Sequence, residues 1–277
     1  MAVLQATVSS PALMRTINIM VILPADKMQM DGTYMEEITG FKTLYLLHGV
    51  FGSEKDWIYR TKLLRYAEER NIAVVMPAGE NAFYTDQPDV HALYSQMISR
   101  DLVEVTRRMF PLSRRREDTY IGGLSMGGYG ALYNGLSHPE TFSRIIALST
   151  ADITERAEEL TDDSDTFLDS RDYFKRVFGG SLDGIRSTRY NIQTLAAKTA
   201  RDTKEPPEIY LACGLQDSLL EITRSIRSGL VQSGYAVHYY ETEGNHNWDF
   251  WDEHIQKALC WLEPDKEESM HSGNIGK

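Results

Sequence analysis

Short apolar runs rich in β-branched residues recur along the chain and are separated by turn-forming residues. Runs of this kind are typical of β-strands that are buried on both faces of a sheet. The pattern predicts strands at residues Thr16–Leu23, Thr43–Leu47, Ile72–Met76, Thr119–Ile121, Ile145–Leu148, Ile209–Ala212 and Val237–Tyr240. The most apolar runs lie in the middle of this series, as expected for the central strands of a sheet.

Longer segments with apolar residues at helical spacing alternate with these strands. They predict helices over residues Glu54–Arg70, Met97–Phe110, Met126–Ser137, Leu219–Ser233 and Trp251–Leu262. Alternating strands and helices over this length indicate an α/β fold with a mainly parallel central sheet and helices on both faces. No linker divides the chain into two cores, so we expect residues 1–263 to form one domain.

Residues 151–207 interrupt this alternation, and we interpret them as a cap-like insertion. Their first part, residues 151–175, contains nine acidic and three basic residues. If this part covers a binding pocket, its charge should disfavour anionic ligands. The polar residues 264–277 have little apolar surface to bury, so we expect them to form a flexible tail.

Composition and charge exclude several classes of protein. The 277 residues are 42% hydrophobic and 25% charged, which is ordinary for a globular protein. A formal net charge of −11 repels nucleic-acid phosphates and anionic membranes, so we expect neither as a partner. The N-terminus lacks a signal-peptide pattern, and no apolar run approaches the roughly 18 residues of a membrane span. Two isolated cysteines suit neither a disulfide framework nor a zinc site, which favours a cytoplasmic protein without a bound metal.

Ser125 stands at the centre of a Gly-x-Ser-x-Gly motif, Gly123–Gly127, where a predicted strand passes into a predicted helix. At such an elbow the serine adopts a strained backbone conformation that exposes its hydroxyl, and the glycines avoid collisions with neighbouring elements. The alternative role of a serine at this position is to cap the helix. We interpret Ser125 as a candidate nucleophile because a base and an acid follow it in the required order.

A serine nucleophile needs a base to take its proton and an acid to orient that base. His246 lies between the last predicted strand and the last helix, at the sheet edge where catalytic groups collect in open α/β folds. Asp217 also follows a strand, and the order Ser, Asp, His is the one that α/β-hydrolases use. Asp249 and Asp252 are nearer to the histidine in sequence, but acids in that position suit the start of a helix. The sequence therefore predicts a triad of Ser125, Asp217 and His246.

A glycine-bearing loop after the second predicted strand is a candidate source of hydrogen bonds to an oxyanion. In acyl transfer the two donors are commonly the amide after the nucleophile and one amide of this loop, here Met126 and Val50. The alternative is that Gly49 and Gly52 only form a turn. We interpret His48, in the same loop, as a structural hydrogen-bonding residue.

Taken together, the sequence resembles the esterase D and tributyrin esterase type of α/β-hydrolases over roughly residues 8–262. The resemblance rests on motifs distributed along the chain, which include Val21–Pro24, Leu47–Gly49, Pro77–Asn81, Gly123–Ala131, Cys213–Gly214 and Gly244–His246. It implies a serine carboxylesterase without a cofactor that hydrolyses short-chain acyl esters of small molecules through an acyl-enzyme. It also implies the same triad and the same two oxyanion donors.

Other members of the family leave alternatives open. S-Formylglutathione hydrolases tend to carry a histidine before the nucleophile and a threonine-cysteine pair in the oxyanion loop, whereas this chain has Leu124 and Val50–Phe51. Thioesterase, feruloyl esterase, acetyl-xylan esterase and acyltransferase activities are further alternatives, and a non-catalytic scaffold is a remote one. The candidate walls of the substrate pocket are the aromatic residues Trp57, Tyr84, Trp248 and Phe250. The oligomeric state stays open, a homo-oligomer included.

Overall fold

The computed structural model describes residues 1–29, 31–34, 40–161 and 170–265. Its strands are β1 (Ala2–Ser10), β2 (Arg15–Leu23), β3 (Thr43–Leu47), β4 (Ala73–Pro77), β5 (Asp86–Gln87), β6 (Ala92–Leu93), β7 (Thr119–Leu124), β8 (Arg144–Leu148), β9 (Glu208–Gly214) and β10 (Val237–Thr242). Eight of them form one sheet in the spatial order β1-β2-β4-β3-β7-β8-β9-β10, while β5 and β6 form a separate hairpin.

The main sheet is parallel from β4 to β10, and only β1 and β2 run antiparallel to their neighbours. Every residue of β3, β4 and β7 is buried, which explains why these strands are apolar without alternation. The prediction of a mainly parallel sheet is confirmed. The first strand was not predicted, because β1 alternates between exposed and mostly half-buried positions at the edge of the sheet.

The α-helices among the described residues are α1 (Asp56–Arg60), α2 (Leu63–Glu69), α3 (Tyr94–Gln96), α4 (Leu102–Met109), α5 (Met126–Ser137), α6 (Thr154–Glu159), α7 (Arg171–Val177), α8 (Ile192–Asp202), α9 (Leu220–Gln232) and α10 (Trp248–Leu262). None of them is both long and apolar enough to cross a lipid bilayer. The prediction of a single helix over residues 54–70 was wrong, because Thr61 adopts an extended conformation that separates α1 from α2.

The helices cover both faces of the sheet and enclose two apolar cores. Along β3, Tyr45 and Leu47 face the core formed with α4, α5, α8 and α9, whereas Leu44 and Leu46 face the core formed with α2 and α10. This division follows from the alternation of side chains in a strand. A sheet covered on both faces leaves its carboxyl edge as the open place for polar side chains.

The segment between β8 and β9 contains α6, α7 and α8, and residues 162–169 within it lie outside the described part. Its last helix, α8, packs on α5 and α9 and buries Ile192 and Leu195 in the apolar core, so this part is an ordinary covering helix. Asp152, one of the acidic residues of the segment, is buried and accepts hydrogen bonds from Thr154 and from the backbone amide of Ile192. A cap therefore stays a prediction for the earlier part of the segment. Of the predicted tail, residues 266–277 lie outside the description.

Candidate active site

Ser125 joins β7 to α5 in the strained conformation that the motif predicts, with φ 53° and ψ −118°. Its amide donates to the carbonyl of Leu148, 2.8 Å away, and its side chain does not cap the helix. A Cβ atom on Gly123 would lie 2.3 Å from the carbonyl oxygen of Gly127, and one on Gly127 would lie 2.5 Å from that of Leu47. The elbow therefore requires both glycines, and the capping role is not realised.

The three predicted triad residues form one continuous chain of hydrogen bonds. The Oγ of Ser125 lies 3.1 Å from Nε2 of His246, and Nδ1 of His246 lies 3.0 and 3.2 Å from the two carboxylate oxygens of Asp217. They follow β7, β10 and β9 respectively, so all three lie at the carboxyl edge of neighbouring strands. Asp252, one of the two acids nearer to His246 in sequence, instead accepts a hydrogen bond from the amide of Lys62.

The environment of Asp217 favours its ionised form. Its side chain is fully buried, which by itself raises the pKa, but hydrogen bonds from His246, the amide of Leu219 and Ser149 outweigh burial and lower the pKa. A buried carboxylate at Nδ1 keeps the proton of the neutral imidazole on that nitrogen. The lone pair of Nε2 then faces the hydroxyl of Ser125, as proton abstraction requires.

Two residues that sequence reasoning did not identify support this triad. The indole Nε1 of Trp251 donates to the Oγ of Ser149, 3.0 Å away, and the Trp251 ring lies perpendicular to His246 with centroids 4.9 Å apart. Ser149 follows β8 directly and has a positive φ of 47°. Its position after a central strand was the signal that could have identified it.

His48 holds the predicted oxyanion loop through two hydrogen bonds of its ring. Its Nδ1 donates to the carbonyl of Gly49 at 2.7 Å, and its Nε2 accepts the amide of Gly79 at 2.9 Å. Burial lowers the pKa of His48 and keeps the ring neutral, as these two bonds require. In the described part of the chain, no protein acceptor bonds to the amides of Val50 and Met126, so both predicted donors are available.

A cavity of about 420 Å³ opens over Ser125. The residues that line it are Gly49, Val50, Phe51, Asp56, Arg60, Leu124, Ser125, His246, Asn247, Trp248 and Trp251. Trp248 is thus the one predicted wall residue that this lining includes. Phe51, Arg60 and Trp251 were not predicted as walls.

The other three predicted wall residues are buried, and their contacts support the loops around the cavity. The indole of Trp57 donates to the carbonyl of Leu47, and the hydroxyl of Tyr84 donates to the carbonyl of His48. Phe250 stacks on the ring of His254 at 4.2 Å. The structure therefore does not bring Trp57, Tyr84 or Phe250 to the cavity surface.

The described residues include no group of three histidine, cysteine, aspartate or glutamate side chains that is arranged to hold a metal ion. The buried Cys213 and the half-buried Cys260 are both free thiols.

Comparison with known proteins gives consistent results. The chain is 38% identical over 264 residues to an acetyl esterase of Caldicellulosiruptor saccharolyticus, covering 95% of this chain and 98% of that one. Among solved structures it is similar to the fluorophosphonate-binding serine hydrolase FphF of Staphylococcus aureus, with a TM-score of 0.81 and 26% identity. It is also similar to the S-formylglutathione hydrolase FrmB of the same organism, with a TM-score of 0.79 and 26% identity. Each alignment covers 94% of this chain and 98% of the other.

The family model described as "Putative esterase" matches residues 10–262, nearly the full span of the described residues. The structural neighbours confirm the α/β-hydrolase fold, and the family with its relatives confirms the predicted class of enzyme. The chain thus belongs to the putative esterase family and is a carboxylic ester hydrolase of the α/β-hydrolase fold.

Proposed function

We propose that the protein hydrolyses short-chain carboxylic esters, acetyl esters in particular, through an acyl-enzyme formed on Ser125. The observation that carries this proposal is the unbroken chain of hydrogen bonds from Ser125 through His246 to Asp217 beneath an open cavity. The similarity to an acetyl esterase over almost the full length of both chains favours a small acyl group.

The reaction follows from the positions of these atoms. His246 takes the proton of Ser125 through Nε2 while the Oγ forms a bond to the acyl carbon. The amides of Val50 and Met126 donate to the developing oxyanion. When the oxyanion collapses, the bond from the acyl carbon to the alcohol oxygen breaks, and His246 gives its proton to the departing alcohol. Water repeats the sequence on the acyl-enzyme and releases the acid, with Asp217 stabilising the imidazolium each time.

A phosphonate probe separates an esterase from a non-catalytic scaffold, because only an activated serine reacts with it. We expect intact mass to show one phosphonyl adduct and p-nitrophenyl acetate to be hydrolysed. Ser125→Ala should lose both, whereas Ser228→Ala, an exposed serine on α9, should lose neither. A folded Ser125→Ala variant that hydrolyses the ester at the normal rate would contradict the proposal.

S-Formylglutathione hydrolysis is the second candidate, because the similar structure FrmB carries that activity in its name. Leu124 argues against this activity, because S-formylglutathione hydrolases tend to carry a histidine at the position before the nucleophile. Comparing kcat/KM for S-formylglutathione with that for p-nitrophenyl acetate, butyrate and palmitate decides between the two. We expect the acetate to be the best of these substrates.

We further propose that the enzyme acts in the cytoplasm on small molecules and without nucleic-acid partners. The net charge of −11 supports the absence of nucleic-acid partners, since it opposes binding to phosphate backbones. Assembly into a homo-oligomer stays a prediction, and light scattering of the purified protein measures it directly.

A further inference from the structure

Arg60 is a charged residue of the cavity to which the mechanism gives no role. It is the last residue of α1, its side chain is exposed, and it lines the same cavity as Ser125 and His246. Its guanidinium carbon lies 5.9 Å from the centre of the Trp248 ring. Within the described ranges, no carboxylate lies within 4.0 Å of its guanidinium nitrogens.

A continuous row of aromatic rings connects this guanidinium to the catalytic base. The centroids of His246 and Trp251 are 4.9 Å apart, those of Trp251 and Trp248 are 5.2 Å apart, and each pair is perpendicular. Trp248 is in turn supported by the fully buried Trp57, 5.4 Å away. Packing of these rings holds Trp248 in place, so Arg60 rests on a rigid surface along the wall that carries the base.

Asp56 is the other charged residue of the cavity, and its carboxylate contacts the loop that precedes α1. One carboxylate oxygen accepts a hydrogen bond from Ser53 at 3.2 Å, and the other lies against Gly52. Apart from His246, none of the remaining lining residues has an acidic or basic side chain. A substrate in this cavity therefore meets one cation, Arg60, and one carboxylate, Asp56, which already accepts a hydrogen bond from Ser53.

We propose that Arg60 is a specificity-determining residue that binds a carboxylate on the alcohol part of the ester. This inference rests on the proposed function, because a small acyl group leaves most of the cavity of about 420 Å³ to the alcohol. A guanidinium presents two parallel N–H groups that match a carboxylate, and stacking on Trp248 orients them. The preferred substrates are acetyl esters of hydroxy acids.

The test compares 4-acetoxybenzoate with 4-acetoxybenzamide, which differ in charge but share the ring and the acetyl ester. We expect Arg60→Gln to lower the ratio of kcat/KM for the acid to that for the amide about tenfold, chiefly through KM. Arg60→Lys should retain part of the preference. Arg65→Gln, an exposed arginine of α2 paired with Glu69, removes the same charge elsewhere and should leave the ratio unchanged.

The ratio of kcat/KM for the two substrates controls for folding, because a loss of folded enzyme lowers both values by the same factor. Raising the salt concentration to about 0.5 M should move the wild-type ratio toward that of Arg60→Gln, since partly exposed charges are screened. A ratio that Arg60→Gln changes no more than Arg65→Gln does would overturn the assignment of Arg60.

The same experiment distinguishes this failure from failure of the proposed function. If wild type cleaves the acetyl ester of 4-acetoxybenzamide and Ser125→Ala does not, the esterase mechanism stands and only the role of Arg60 is lost. If wild type hydrolyses neither ester, or if Ser125→Ala hydrolyses both at the wild-type rate, both proposals are overturned.

Discussion

Replacing Asp217 by asparagine tests the electrostatics of the triad, because the two side chains have the same shape. The carboxylate accepts hydrogen bonds from Nδ1 of His246 and from the amide of Leu219. An asparagine that keeps its oxygen on the Leu219 amide places its NH₂ group at the other oxygen position, 3.0 Å from Nδ1, where it donates to that nitrogen. The imidazole would carry its proton on Nε2 and could no longer accept the proton of Ser125.

We expect kcat to fall about 10⁴-fold, as the same exchange does in a serine protease triad. That loss corresponds to about 5.4 kcal/mol of activation free energy. The full effect applies because the Asp217 side chain is completely buried, so water cannot take the place of the lost charge. The residual rate would come from the oxyanion donors and from substrate binding.

The lowered pKa of Asp217 also predicts a change in stability. A carboxylate whose pKa is lower in the folded state contributes to the unfolding free energy above its unfolded pKa of about 3.9, and this contribution is lost as the pH falls through the folded value. Asp217→Asn should therefore be less stable than wild type at neutral pH, and the difference should shrink in acid.

Initial rates with p-nitrophenyl acetate and thermal unfolding measured across pH give both quantities. Asp249→Asn is the matched control, since this acid is exposed in the first turn of α10 and three residues from His246. It should leave kcat unchanged. An Asp217→Asn enzyme that is folded and retains kcat within about tenfold of wild type would refute the tautomer argument.

Three further predictions follow from the structure. The kcat of the double variant Ser125→Ala/His246→Ala should be nearly the same as that of either single variant, because nucleophile and base act as one unit. Gly127→Ala places a methyl group 2.5 Å from the carbonyl oxygen of Leu47 and should lower the thermal midpoint by several degrees. A melting curve with the wild-type midpoint would contradict this prediction. Burial lowers the pKa of His254 from 6.5 to about 4. As the pH drops from 6.5 to about 4, this histidine takes up a proton in the unfolded chain but not in the folded one, so the unfolding free energy should fall. Denaturant midpoints should show a shallower decline in His254→Gln.

The predictability of the fold depended on how each strand is covered. The central strands are buried on both faces, so their sequences are continuously apolar and their bounds were predicted within a few residues. The edge strand β1 pairs only with β2, through the turn from Pro11 to Met14, and half of its residues face solvent. Its sequence lacks the apolar run because its position does not require one.

The triad was predictable for a related reason. In a parallel sheet the residues that follow neighbouring strands meet at one edge, and β7, β9 and β10 lie within four adjacent strands. One of these strands directly precedes each of Ser125, Asp217 and His246. The positions of the three residues relative to the predicted strands were therefore sufficient to predict that they lie together. Ser149 obeys the same rule after β8, but a serine there carried no motif to distinguish it.

The cavity walls depend on contacts that spacing along the chain does not encode. Trp57 and Trp248 pack against each other, yet one is fully buried beneath the loop and the other lines the cavity. A continuous helix over residues 54–70 would have continued past Arg60. Instead Thr61 leaves the helical conformation, and its hydroxyl accepts the amide of Leu63 at the start of α2. Because α1 ends at that point, Arg60 lies at a helix terminus beside Trp248, and the cation reaches the cavity through a local break in the helix.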